Sequence, residues 1–142
     1  MHIQTKAVAK ILGLRGRDVM STYDLAQTLA TGISVGALDR LCAAVAPDDP
    51  GFCHGLIPRA TLNRRRSEKV LSPGESELLG RLAQVWAMAR EVYGTDVGAR
   101  RFLHEPHVLL HGEKPIEVAR TNLIGAAMVE DILGRLQYGS VA

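Results

Sequence analysis

The chain has 142 residues, enough for one domain or two small ones. It is 46% hydrophobic but only 4% aromatic, so a core has to be assembled from Leu, Val, Ala, Ile and Met. A net charge of +2 names no partner, and the absence of a long apolar run or a signal-peptide pattern points to a soluble, cytoplasmic protein with no membrane association.

The charge is unevenly spread. Residues 1–70 hold 10 Lys and Arg against 6 Asp and Glu, whereas residues 71–142 hold 7 against 9. A basic front and an acidic back suggest two surfaces with different partners.

From the N-terminus, Ala7 to Leu14 is apolar and is interrupted by Gly13 and Gly16, which fits a short strand or a short helix followed by a loop. Ser21 to Thr31 reads as a short helix, with Ser21 and Asp24 as a capping pair, Leu25 and Leu29 on one face, and Gly32 at its end. Ser34 can cap a following helix in which Leu38, Leu41, Cys42 and Val45 form a buried stripe. Pro47 and the Asp48-Asp49-Pro50 turn stop that helix. Cys42 and Cys53 stand in no metal-ligand spacing, so two ordinary reduced thiols are expected, Cys42 as a small core residue.

Asp48 to His54 carries Pro50 and Gly51 and reads as a poor helix. Pro58 then opens a basic helix through Lys69, in which 5 of the 17 basic residues fall within 11 positions. Leu62 is the one large apolar residue among Arg59 to Arg66, so the helix packs through a narrow line and shows the rest to solvent. A short segment, a tight turn and a basic helix are the parts of a helix-turn-helix reader. Arg59, Thr61, Asn63, Arg64, Arg65 and Arg66 are its candidate DNA-binding residues, because Arg matches a guanine edge, Asn an adenine edge, and further cations meet phosphates.

Ser72-Pro73-Gly74-Glu75 is a capping box, and the spacing of Leu78, Leu82, Val85, Trp86, Ala89 and Tyr93 predicts a helix to Tyr93 closed by Gly94. At about 1.5 Å per residue it would be roughly 30 Å long, the spine of a domain. Asp96 to Leu103 reads as a helix capped by Asp96, with Phe102 and Leu103 inward. A loop from Pro106 to Glu113 and a helical turn from Pro115 to Arg120 follow. A last helix, capped by Thr121, should bury Ile124, Met128, Val129, Ile132, Leu133 and Leu136, and Gly139 stands at its C-cap before the tail Ser140-Val141-Ala142.

Catalytic chemistry finds little support in this pattern. Glu105 and Glu113 flank a loop, Glu130 and Asp131 read as solvated charges on the last helix, and Ser140 has no base beside it. His104, His107 and His111 have a spacing that a helix would align for metal, but Pro106 and Gly112 break the run. No enzyme activity, metal or cofactor is expected.

Two stretches carry a family resemblance. The run Phe102-Leu103-x-x-Pro106, Leu109-x-x-Gly112-x-x-Pro115-Ile116, Thr121-x-x-x-Gly125 and Val129-x-x-x-Leu133-x-Arg135-Leu136-x-Tyr138-Gly139 resembles the Xre/MbcA/ParS-type toxin-binding domain of bacterial antitoxins. Leu56-Ile57-Pro58-Arg59-x-Thr61-Leu62-x-Arg64-Arg65 is similar to the Xre-type helix-turn-helix found ahead of it. The resemblance implies an all-α antitoxin of a RES–Xre type II toxin–antitoxin system, with an N-terminal Xre-like helix-turn-helix domain (residues 1–68) and a C-terminal helical toxin-binding and dimerisation domain (residues 69–142).

It further implies a cognate RES-domain toxin that degrades NAD, occluded by the last helix and tail, and operator DNA bound by a homodimer that represses its own operon. Arg135, Tyr138, Gly139, Ser140, Val141 and Ala142 are the candidate toxin-binding residues. A stand-alone dimeric helix-turn-helix regulator is the competing reading, and a metal-binding scaffold a weaker third.

Overall fold

The structure, a computed structural model, describes residues 2–139. Among them the chain forms nine α-helices: α1 (Thr5–Leu12), α2 (Thr22–Thr31), α3 (Gly36–Val45), α4 (Pro50–Leu56), α5 (Arg59–Glu68), α6 (Pro73–Tyr93), α7 (Asp96–His104), α8 (Pro115–Thr121) and α9 (Leu123–Gln137). A 3-10 turn at Val108–Leu110 lies between α7 and α8, and one antiparallel bridge joins Ser34 to Val70. The fold is all-α.

Helix α6 is the spine. Ser72 Oγ accepts from the Glu75 N–H at 3.1 Å, Glu75 Oε1 accepts from the Ser72 N–H at 2.9 Å, and Pro73 occupies the first turn, where its missing N–H costs nothing. Gly94, at φ 75°, closes the helix in the left-handed region that glycine tolerates. Helices α1, α2, α3, α7, α8 and α9 all pack against α6. Its buried set is therefore wider than one stripe: Leu79, Gly80, Ala83 and Ser76 join Leu82, Val85, Trp86 and Ala89 inside, while Tyr93 is half-exposed.

The core runs continuously from Val8 in α1 to Leu133 in α9. Each fully buried side chain such as Leu38, Leu41, Leu79, Leu82 or Leu103 contributes roughly 1.5–3 kcal/mol by leaving water. Ser76, Gln84 and Glu130, the buried polar residues, are partnered, whereas Arg81 Nε is buried without a hydrogen-bond partner. Ser76 Oγ donates to the Ser72 carbonyl and accepts from the Ile33 N–H. Gln84 Nε2 donates to the His2 carbonyl and to Glu130, and Gln84 Oε1 accepts from the Gln4 N–H. That last set ties the N-terminus to α6 and α9.

Several local expectations are corrected. The apolar stretch near the N-terminus is a helix, α1, ended by Gly13 at φ 73°. The segment with Pro50 and Gly51 is also a helix: Pro50 sits in the first turn of α4, and burial of Phe52 and Leu56 stabilises it beyond its propensity. Cys42 and Cys53 are not separate thiols but a disulfide joining α3 to α4, with Cα atoms 6.0 Å apart. The turn after Ala46 folds α4 back on α3, a closeness that the spacing in sequence does not disclose.

Caps move by one residue where backbone geometry decides. Thr95, not Asp96, caps α7, accepting from the Gly98 N–H. Asn122, not Thr121, caps α9, its Oδ1 accepting from the Gly125 N–H at 2.8 Å. A cap residue needs extended backbone; Asn122 has it, whereas Thr121 is still in α8 and donates its hydroxyl to the Glu117 carbonyl. Val35 precedes α3, with Ser34 Oγ accepting from the Gly36 N–H.

Candidate functional site

Helices α4 and α5 meet at Ile57 and Pro58, both in extended conformations, so the chain stops one helix and restarts another within two residues. Leu62 packs inward from α5. The residues one turn further on carry the same face: Arg65 donates to both carboxylate oxygens of Glu75 in α6, and Arg66 to both of Asp39 in α3. Arg65 is only 17% exposed in its side chain. Arg59, Asn63 and Arg64 lie on the outer face, exposed, and Thr61 is half-buried. Arg64 has a 3.7 Å ion pair with Glu68 on its own helix. The six candidate DNA-binding residues thus separate into two held by the body of the protein and four on or near the open face.

The carboxylates record the same division. The Arg66 guanidinium holds the Asp39 carboxyl below its usual range. Burial pushes Glu75 upward, but the bonds from Arg65 and Ser72 together outweigh it, so its net shift is downward.

At the other end, Phe102, Leu103, Pro115 and Ile116 are buried, and Gly112 turns at φ 84°. Those motif residues shape the connector between α7 and α8. Gly125 answers to close packing: a Cβ there would land on the Val118 carbonyl of α8. Helix α9 buries Ala126, Val129, Ile132 and Leu133. The expected single face is corrected here, because Ile124 is 73% and Met128 43% exposed, and Leu136 is also exposed. They sit a turn apart on the outer side, and Met128 and Ile132 line a groove of about 210 Å³ with Leu109, Leu110, Asp131 and Arg135. Exposed Val108 and Leu109 belong to the 3-10 turn, which only folding brings beside α9, so spacing could not include it.

Glu130 is a second correction. It is not a solvated charge but 8% exposed, and burial pushes its carboxyl above the usual range, with the Gln84 amide drawing it partly back. Of the candidate toxin-binding residues, Arg135 and Tyr138 are exposed and Gly139 has φ 75°. Ser140, Val141 and Ala142 lie outside the described residues.

The histidines have local partners. His104 Nε2 lies 2.9 Å from the Val45 carbonyl, and His107 Nδ1 accepts from the Leu109 N–H. Among the described residues no three metal-binding side chains converge, and no helix is long and apolar enough to cross a membrane.

Comparison with known proteins assigns both ends. Residues 24–84 match the antitoxin Xre-like helix-turn-helix domain, and residues 88–139 the antitoxin Xre/MbcA/ParS C-terminal toxin-binding domain. The first match spans α2 to the middle of α6 and the second the end of α6 through α9. A helix-turn-helix module followed by a toxin-binding module is the arrangement that these two matches define. In the order of these two modules the chain is similar in build to Xre antitoxins. It is 29% identical over 118 residues to the protein called Antitoxin Xre of Yersinia enterocolitica serotype O:8 / biotype 1B (strain NCTC 13174 / 8081), covering 81% of this chain and 79% of that one.

Proposed function

We propose that the protein neutralises a cognate RES-domain, NAD-degrading toxin and binds operator DNA as a homodimer to repress its own operon. The observation that carries the toxin half is the apolar outer side of α9, with Ile124 and Met128 turned to solvent and Met128 sharing a groove with Leu109 of the 3-10 turn. A monomer gains nothing from exposing large apolar groups side by side, whereas a docked protein surface would cover them. The RES identity of the toxin rests on the sequence resemblance.

In this reading α9 docks on the toxin and residues 138–142 reach the mouth of its active site, filling it sterically. Arg135, at the rim of the groove, pairs with a polar group of the toxin. The front part, residues 1–68, serves DNA and the back part, residues 69–142, serves toxin and dimer contacts. Operator binding places the protein inside the cell, with the outer face of α5 (Arg59, Asn63, Arg64) toward the major groove. One such helix contacts little DNA, so a symmetric dimer on a palindromic site is expected.

Removing residues 138–142 tests the occlusion. The truncated protein should keep the helical content and melting temperature of the full chain and fail to protect cells expressing the adjacent toxin. Protection undiminished by the truncation would end the plug reading. A protein that co-purifies with no toxin from the neighbouring reading frame would instead favour a stand-alone dimeric regulator.

A further inference from the structure

Eight of the 17 basic residues form ion pairs among the described residues: Arg64, Arg65, Arg66, Arg81, Arg90, Arg100, Arg101 and Arg120. Three of those eight belong to the Arg run of α5. The uncompensated positive charge therefore lies mainly elsewhere. Lys6, Lys10, Arg15 and Arg40 line one cleft of about 730 Å³ between α1, the α1–α2 connection and α3, and Arg17 lies two residues beyond in the same connection. None of the five has an acidic partner among the described residues, and Asp18, in the same turn, pairs with none of them.

The fold builds this cleft from separate elements. Lys6 and Lys10 are one helical turn apart and exposed on α1, whose other side buries Val8, Ala9 and Leu12. Gly13 ends α1 without a side chain, and the Arg40 side chain of α3 lies across the space a Cβ would fill. Arg40 also follows Asp39, the residue that grips Arg66 of α5. One helix, α3, therefore contacts the basic helix through one residue and supplies the cleft with the next. Consecutive residues of a helix point about 100° apart, so the two cationic surfaces adjoin α3 on neighbouring faces.

We propose that the cleft of Lys6, Lys10, Arg15 and Arg40 is a phosphate-backbone surface for duplex DNA, flanking the site that α5 reads. Duplex DNA carries one charge per roughly 1.7 Å of axis, so a stretch of axis as long as one helix diameter, about 10–12 Å, presents several phosphates to a surface next to the recognition helix. Cations without internal partners bind phosphate without first breaking an ion pair, whereas Arg65 and Arg66 must release Glu75 and Asp39. The division of labour follows: the cleft supplies sequence-independent affinity, and the open face of α5 supplies discrimination. This inference rests on the operator-binding reading and adds to it the place where most of the electrostatic free energy arises.

The test uses the full-length chain and two 30-base-pair probes, one from immediately upstream of its own reading frame and one of scrambled sequence (probe length roughly three helical turns). Binding is measured by fluorescence anisotropy over a salt series. For the triple variant Lys6→Gln, Lys10→Gln, Arg15→Gln, the slope of log K against log salt should become shallower by about 2.7 on both probes, from about 0.9 per phosphate contact. Lys6→Arg with Lys10→Arg should retain the wild-type slope. Asn63→Ala with Arg64→Ala should instead narrow the preference for the upstream probe.

A triple variant with an unchanged slope, while wild type binds, overturns the inference and leaves operator binding standing. Wild type that binds neither probe removes the operator reading and this inference with it. A triple variant that keeps its DNA affinity but no longer co-purifies with the toxin overturns the inference in favour of an acidic protein partner.

Discussion

The Arg66 guanidinium holds both carboxylate oxygens of Asp39, at 2.8 and 2.9 Å, and so fastens the basic helix α5 to α3. The pair sits about half exposed, so its worth to stability is small after solvent screening. Its larger consequence is for charge. Asp39→Asn should free Arg66 and remove one negative charge beside the proposed DNA face. Duplex affinity should rise, and the salt dependence should steepen by about one phosphate contact. Salt-series binding on a scrambled duplex measures this; a variant with weaker binding would mean that the pair is needed to orient α5.

Two carboxylates give opposite pH signatures. Glu75 is held below its ordinary value by Arg65 and Ser72 against the push of burial, so its stabilisation is present above the unfolded pKa and is lost as pH falls through the folded value. Glu75→Gln should therefore lower the melting temperature at pH 7, with the deficit vanishing in acid. Glu130 is shifted upward by burial, so its contribution is full below the unfolded pKa and is lost as pH rises through the folded value. Glu130→Gln, which keeps an oxygen for Gln84, should raise the melting temperature at pH 7, and the gain should shrink toward pH 4. Thermal melts of both variants across pH 3–8 compare the signs directly.

Gly125 and Gly134 lie on the same helix and should respond oppositely to alanine. A Cβ at Gly125 meets the Val118 backbone, which cannot swing aside as a side chain can. Gly125→Ala should cost about 1–3 kcal/mol through overpacking of α8 against α9. At Gly134 nothing lies within 4 Å of the added carbon, so Gly134→Ala should stabilise α9 by roughly 0.5–1 kcal/mol. Urea denaturation of the two variants decides the point.

The Cys42–Cys53 disulfide closes a loop with a sequence separation of 11. By the chain-entropy argument, opening it should cost about 3 kcal/mol. Reduction should lower the melting temperature and expose two thiols to labelling, while leaving the α3–α4 packing around Leu41, Val45 and Phe52 in place. Two thiols that label fully in the untreated native protein would show that the bond is not formed in solution. In a reducing compartment, where thiol pools keep such pairs open, that packing has to hold α4 together with the edge-on Phe52–His104 contact and the bond from Arg120 to the Gly55 carbonyl.

Much of this molecule was legible from residue order, because the signals concerned are local. Ser72, Pro73, Glu75 and Gly94 set the limits of α6 through bonds made within one turn, and Ser21 with Asp24 did the same for α2. The spacing of Leu38, Leu41, Cys42 and Val45 named a buried stripe because a helix repeats every 3.6 residues wherever it sits. The helix-turn-helix and toxin-binding motifs were equally readable as strings, since their glycines and prolines serve turns and close approaches. What folding alone decided were relations between distant positions. These include the meeting of Cys42 with Cys53, the burial of Glu130 beside Gln84, and the exposure of Met128 next to the 3-10 turn. They also include which cations found carboxylates and which, around Gly13, did not. Periodicity reports that a residue has a preferred side, but it carries no information on what the rest of the chain brings to that side.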